Sequence, residues 1–568
     1  MSKTIIMPFK AALAASLFGL TAPSLAQPGQ VADAIFVNGK VFTADGAGTV
    51  AEGFAIKGDR FVAAGSSADM RRLAGPATRI VDLKGRFVSP GLTDAHFHSE
   101  GGGKGVDLSK VANIRDILTA IGKAAAVAKP GEVILTNRDW HEMQLKEQRL
   151  PTALELDTVA PNHPVVVKRG GHSYILNSAA LAKWNITPAT VSPAGGHISK
   201  DATGALTGEL FDNAKTLVTL PPDPPVTVED VLTTQRVLNS YGITSVRVIG
   251  GYKTDTVTAY KLFSDARDAG KLSVRYNVFL RNRDMTSDPA TYVATLEQSG
   301  LRQDQGDHWV RIGGIKLGVD GGFEGGHMSE PYIEPYGKGG TYYGLVTMKP
   351  DAFTDVVKRL NANGWVLATH AAGDAAVEQV LDAYEAANAI DPIAGDRWAI
   401  EHIFITNPEQ LRRAKALGLY LSVQNHLFVA GPAFRKYIGE PRASQITPLK
   451  TYLDSGMNVA LGTDADVIPI NPYWELYHYM TRQTRSDGIY GADERVPDRA
   501  KLLELITAGY ARLTGEEAVK GSIAPGKLAD FVVMSGDFLT VPVEQVRDMK
   551  ALTTYVGGKQ VFRDPAFQ

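Results

Sequence analysis

Eight short apolar runs, most of them separated by stretches with helical periodicity, constrain this chain more than any other feature. They fall at residues 91–98, 243–249, 274–280, 310–317, 365–370, 398–404, 419–423 and 459–464. Each has the length of a strand, and a run that is apolar at successive positions suits a strand buried on both faces. Between the runs, Phe353, Val356, Val357 and Leu360 recur at helical spacing, and residues 374–387 show that pattern more strongly. Strand and helix alternating through eight runs predict an α/β fold, a (β/α)8 TIM barrel rather than an open sheet. In such barrels the reactive groups stand at the C-terminal ends of the strands.

Those ends carry chemistry. His96 and His98 close the first run two residues apart, so on a strand their imidazoles share one face. Lys316 lies in the fourth run, His370 ends the fifth, His402 lies in the sixth and Asp464 ends the eighth. A single strand-end histidine is usually structural. Four of them with an aspartate and a lysine on one rim point to a metal centre. The chain has no cysteine. That excludes disulfides, thiolate-bound zinc, iron–sulfur clusters and thiol nucleophiles, so His, Asp, Glu or a modified Lys must hold any ion.

Composition excludes other classes. Net charge is -2, hydrophobic content 44% and charged content 21%, values ordinary for a soluble globular chain. No basic face for nucleic acid is advertised. No run of about 18 apolar residues marks a membrane span. Lys3 and Lys10, the apolar residues 11–20 and Ser24-Leu25-Ala26 make residues 1–26 a signal peptide, so an exported protein, periplasmic or secreted, is expected.

Residues 27–88 and 519–568 have strand-and-turn texture, with hairpins expected at Asn38-Gly39, Gly58-Asp59 and Gly557-Gly558. They predict one small composite β-sandwich built from both termini. Residues 89–518 form the barrel. Its segment 100–241 is too long for a simple crossover and is expected to be an insertion that caps the site, with a glycine-rich hairpin at 195–208.

The motifs Thr-Asp-Ala-His-Phe-His at 93–98, Lys-x-x-x-Asp-Gly from Lys316, Thr-His-Ala-Ala-Gly-Asp at 369–374, Ile-Glu-His at 400–402 and Gly-Thr-Asp-Ala at 462–465 occur in this order. Together they resemble the amidohydrolase superfamily, and most of all amidohydrolase family 3, with its YtcJ-like proteins and N-substituted formamide deformylases. The resemblance implies that His96, His98 and Asp464 bind one divalent metal and that His370 and His402 bind a second, two zinc ions per chain. Lys316 would bridge them as a carbamate formed with carbon dioxide. An unmodified ammonium has three donors and no acceptor, so it cannot ligate. The alternative for Lys316 is an ion pair with Asp320.

The activity implied is hydrolysis of a non-peptide carbon–nitrogen bond in a small amide, N-acyl, N-formyl or cyclic, by metal-activated hydroxide. Asp464 would act as general base and then acid. His172, Asn177, His327 and Gln424 are the substrate-facing candidates, with Trp140, His141, Asn425 and His426 as further pocket residues. For His172, substrate contact and a structural hydrogen bond weigh equally. His197 reads as structural, and His163, His308 and His478 read as surface or core residues. Gly318 departs from the family, whose members often carry a bulky apolar residue there, and the glycines up to Gly326 suggest a flexible loop over the site. Two rival functions stand beside this one. A mononuclear deaminase of a heterocycle is opposed by Lys316, and an exported non-catalytic binding protein gains nothing from a general base. Homodimerisation is left open.

Overall fold

The computed structural model describes residues 31–98, 105–138, 140–193, 196–221, 225–249, 256–281, 288–334, 336–465 and 468–567. The expected signal peptide, and Gly195 of the expected hairpin, lie outside the described residues. At the centre is a sheet of parallel strands: β1 (Leu92–Phe97), β2 (Ile243–Ile249), β3 (Arg275–Leu280), β4 (Val310–Gly318), β5 (Leu367–Ala371), β6 (Ala399–His402), β7 (Tyr420–Gln424) and β8 (Asn458–Gly462). They pair in chain order. Every residue of β1, β2 and β3 is buried. One face fills the barrel and the other lies under helices, which is why these runs are apolar without alternation. Helix Pro350–Ala362 buries Phe353, Val356, Val357 and Leu360, and helix Asp374–Asn388 buries Val377, Val380, Leu381 and Tyr384.

The barrel closes between β8 and β1. Phe97 and Ala465 form a parallel bridge. Asp464 N donates to His96 O at 2.7 Å, and His98 N donates to Ala465 O at 2.5 Å. Asp94 secures the seam from the side, accepting from Thr463 N at 2.9 Å and from Thr463 Oγ1 at 2.5 Å. Only glycine fits at Gly462, since a Cβ there would stand 2.5 Å from His96 N.

Below the barrel, both termini build a two-sheet sandwich. One sheet contains Ala32–Val37, Gly53–Lys57, Arg60–Gly65 and Ala74–Asp82, and the other joins Lys40–Phe42, Val50–Ala51 and Phe87–Pro90 to the C-terminal strands Phe531–Met534, Ala551–Val556 and Lys559–Arg563. The Phe36 ring meets Phe531 at 5.0 Å and Tyr555 at 5.5 Å, both edge-on, across the interface. Two of the expected hairpins form, at Gly58-Asp59 and Gly557-Gly558. The third does not. At Asn38-Gly39 the chain crosses from one sheet to the other, with Gly39 N bonded to Glu52 O at 2.8 Å and Lys40 N to Arg86 O at 2.9 Å. The crossing lets Phe36 and Val41 enter the same inter-sheet core.

Between β1 and β2 the long insertion folds around its own five-stranded sheet, Ile134–Leu135, Val165–Arg169, Ser173–Leu176, Leu206–Asp212 and Gly196–Lys200. The sandwich is tied to the barrel by a buried two-pronged ion pair, with Arg275 Nε 2.7 Å from Asp530 Oδ2 and Arg275 Nη2 2.9 Å from Asp530 Oδ1. Removing one partner strands the other charge in the interior. Asp530→Ala should therefore cost about 3–5 kcal/mol of stability. A urea titration followed by circular dichroism should show a lowered midpoint, and an unchanged midpoint would contradict the role given to this pair.

Candidate metal centre

The strand ends of the barrel converge at its mouth. His98 Nε2 lies 3.0 Å from Asp464 Oδ1. His96 Nε2 lies 3.6 Å from the same oxygen and 3.2 Å from His98 Nε2. Among the described residues, the buried Asp464 Oδ1 has no aligned hydrogen-bond donor. A buried carboxylate oxygen in that condition is costly, and a cation among these atoms removes the cost. His96, His98 and Asp464 form one potential ligand group, and His402, His426 and Asp464 form another, the donor atoms of each within 4.8 Å of one another. Imidazole nitrogens with a carboxylate suit zinc and similar divalent ions. The residues present therefore fit such an ion.

The backbone is strained where these ligands stand. His402 (φ 72°), Ile403 (φ 42°) and Asp464 (φ 63°) occupy the left-handed region. Such conformations cost a non-glycine residue of order 1–3 kcal/mol each and persist where surrounding structure imposes them. Here the seam and the strand pairing impose them.

Orientation comes from the layer behind. Glu401 Oε2 is 2.5 Å from His96 Nδ1, and Glu401 Oε1 is 2.6 Å from Arg247 Nη1. Arg247 also donates to Ala95 O at 3.2 Å. The carboxylate holds the proton on Nδ1, which leaves the Nε2 lone pair facing Asp464 and Lys316. Burial alone would raise the Glu401 carboxyl, but Arg247 and His96 hold it well below the usual carboxylate range. Burial, reinforced by Lys316, lowers His96 to about 3. Burial, reinforced by His370 and His96, also takes His402 well below its ordinary value. Both imidazoles are thus neutral, the form that ligates. His402 Nδ1 donates to Gln424 Oε1 at 2.7 Å, and Gln424 Nε2 donates to Ser422 O at 3.0 Å. Gln424 thus has both ends of its amide engaged, one of them in aiming His402.

Lys316 Nζ lies 3.4 Å from His96 Nε2. Burial lowers it to about 7 against the pull of Glu401, and Arg281 adds to the lowering. The alternative partner, Asp320, is engaged elsewhere, accepting from Ala372 N at 3.0 Å, from Gly373 N at 2.9 Å and from His327 N at 2.9 Å.

His370 joins the cluster, its ring 4.5 Å from that of His402, but its Nε2 points to Gly321 O at 3.1 Å and Asp320 Oδ1 at 3.3 Å. The closer neighbour of Asp464 is His426, whose Nε2 stands 2.9 Å from Asp464 Oδ2. Sequence reading placed His426 only among the pocket residues. The signal for it is a histidine two positions past the end of β7.

The remaining candidates divide. His172 lines a cavity of about 420 Å³ above the rim, with Nδ1 2.5 Å from Asp212 Oδ1. Asn177 spends its amide on structure: Oδ1 caps helix Ser178–Lys183 through Ala180 N at 3.0 Å, and Nδ2 donates to Ala160 O at 3.0 Å. His327 lines a separate surface depression beside Asp374 and Glu378. Trp140 and His141 are buried in the insertion, and Trp140 Nε1 donates to Lys168 O at 2.7 Å. The glycines after Gly318 form a turn in which Gly326 N donates to Gly322 O at 2.7 Å. The turn sits on His172: a Cβ at Gly322 would come within 2.5 Å of the imidazole.

The Glu401 arrangement generates a direct test. Glu401→Gln removes the charge that fixes the His96 tautomer. Affinity for zinc, measured by competition with a chromogenic chelator, should fall roughly 10- to 100-fold. Wild-type affinity in the variant would rule out the orienting role.

Comparison with known proteins agrees with this geometry. A model described as the amidohydrolase family matches residues 79–562. The chain is 31% identical over 568 residues to Protein LONG AFTER FAR-RED 3 of Arabidopsis thaliana, spanning 96% of this chain and 94% of that protein. It is 28% identical over 552 residues to N-substituted formamide deformylase of Arthrobacter pascens, spanning 93% of this chain and 98% of that protein. An uncharacterized metal-dependent hydrolase from Pyrococcus furiosus superposes with a TM-score of 0.64 at 27% identity, covering 89% of this chain and 100% of that one. A second, from Pyrococcus horikoshii OT3, shares the fold with a TM-score of 0.67 at 23% identity, over 90% of this chain and 99% of that one. The family match takes in the whole barrel with its rim of potential ligands, and the chain belongs to the amidohydrolase family.

Proposed function

We propose that this hydrolase cleaves a carbon–nitrogen bond other than a peptide bond, in a small N-acyl, N-formyl or cyclic amide. The observation that carries the reading is Asp464, one buried carboxylate common to both potential ligand groups. The name of the Arthrobacter relative, N-substituted formamide deformylase, supports the bond class. When bound, the divalent ions, two zinc ions in this reading, polarise the substrate carbonyl and acidify water. His96, His98 and Asp464 would hold one ion. His402 would hold the other, with His370 as the resemblance implies or with His426 as its contact to Asp464 favours.

Lys316 enters as a carbamate. Its neutral amine adds to carbon dioxide, forming one N–C bond and releasing one proton, and the product offers anionic oxygens where the ammonium had none. A pKa near 7 supplies that neutral amine at ordinary pH. Asp464 then moves the protons. Its Oδ2, beside His426 Nε2, takes one from the attacking water and delivers it to the leaving nitrogen, which departs as an amine. Phe323 and residues of the insertion line the cavity and would limit access of bulk water.

The test is turnover on a panel of N-formyl, N-acyl and cyclic amides. Lys316→Ala and Asp464→Asn should each lower kcat/KM by roughly 10²–10⁴. Chelation should abolish turnover and zinc should restore it. Full activity in a metal-free preparation, or in both variants, refutes the proposal. Enzyme equilibrated with ¹³C-bicarbonate should show one carbamate carbon resonance that Lys316→Ala lacks, and the same resonance in both proteins would remove Lys316 from the bridge.

A further inference from the structure

The cavity over the rim has two chemically different walls. The barrel side carries the ligating histidines and Asp464. The insertion and the end of β3 add four basic side chains to the lining, Arg138, Lys168, Lys215 and Arg281. Asp212 also lines the cavity, with its Oδ1 on His172 Nδ1. The four bases come from separate stretches of chain. Arg138 follows strand Ile134–Leu135, Lys168 is on Val165–Arg169, Lys215 lies in the turn Asn213–Leu217, and Arg281 follows Leu280 at the end of β3.

Their charges feel one another. Burial, with Arg138 and Arg281 adding to it against the pull of Asp212, lowers the Lys215 ammonium to about 8. Lys215 is anchored there by donating to Gly171 O. Arg138 and Arg281 repel Lys215 while Asp212 and Glu324 attract it, and a further anion in this half-buried cavity would add to the attraction. Guanidinium and ammonium groups are the side chains that recognise oxyanions by charge-assisted hydrogen bonds.

We infer that the substrate is acidic: it carries an oxyanionic group, a carboxylate in the first instance, remote from the scissile bond, and Arg138, Lys168, Lys215 and Arg281 receive it while the amide faces the rim. This rests on the hydrolase reading and narrows it, since it sets charged N-acyl compounds above neutral amides of the same shape.

Two measurements on the zinc-loaded enzyme test it. The first compares N-formyl-phenylalanine with its methyl ester and its phosphonate analogue. The carboxylate should exceed the ester in kcat/KM by roughly 10- to 100-fold, mostly through KM. A phosphonate that outperforms the carboxylate would identify a phosphoryl group as the natural oxyanion. Lys215→Met and Arg281→Gln should each lower the acid-to-ester ratio at least about tenfold, and Lys215→Arg should retain it. Equal use of acid and ester by the wild type, or an unchanged ratio in both neutral variants, overturns the inference. The second measurement does not need turnover. Calorimetric titration with glutarate and with butyrate should show tighter binding of the dicarboxylate, and Lys215→Met should abolish the difference. If no amide is hydrolysed but glutarate keeps its advantage, the bond class is wrong and the anion site stands. If amides are hydrolysed but glutarate binds no better than butyrate, the anion site fails and the bond class stands.

Discussion

The closing seam of the barrel is the constraint on which the site depends. Asp464 N bonds His96 O, His98 N bonds Ala465 O, and Asp94 clamps Thr463. These bonds bring residues from opposite ends of the chain into one donor set, and no local segment could do so. The seam also explains the strained backbone at Asp464. A residue that must continue the strand pairing and still turn its carboxylate toward His96 and His98 has few conformations open to it. Glycine at position 462 follows from the same crowding.

Burial then sets the protonation of the site. Neutral His96 and His402, and a lysine near 7, are what a dry, enclosed rim makes of these side chains. Glu401 remains charged there because Arg247 lies behind it, and the Arg247 guanidinium stacks 4.1 Å from the Phe279 ring centroid. The result is two imidazoles, His96 and His402, that need no deprotonation before an ion binds. Above it the insertion supplies a wall of opposite electrostatic character. In the proposed reading the barrel rim serves the reacting bond, and the insertion together with Arg281 serves the rest of the substrate.

Much of this was legible in the sequence because barrel strands are buried on both faces and read as unbroken apolar runs. Each expected run overlaps an observed strand, and His96, His98, Lys316, His370, His402 and Asp464 do gather at one mouth. What escaped the sequence depends on contacts that only the closed barrel makes. Glu401 and Arg247 are 154 residues apart, and neither position has a local pattern that announces the other. His426 begins a helix instead of ending a strand, so a rule that looks at strand ends passes over it. Asn177 is the opposite case. Asn-Ser-Ala-Ala is a helix-start signal, and the side chain is used as a cap, as that signal would have suggested. At Asn38-Gly39 a turn signal was present, but two sheets, not one, were waiting on either side of it.

The central claim is that the rim is a metal centre organised around Asp464. Crystals of the active protein, measured on either side of the zinc absorption edge, test it most directly. The account predicts two anomalous peaks, one among His96, His98 and Asp464 and one beside His402, with density joining Lys316 to both. Crystals that turn over substrate while showing no anomalous peak at this rim would contradict it.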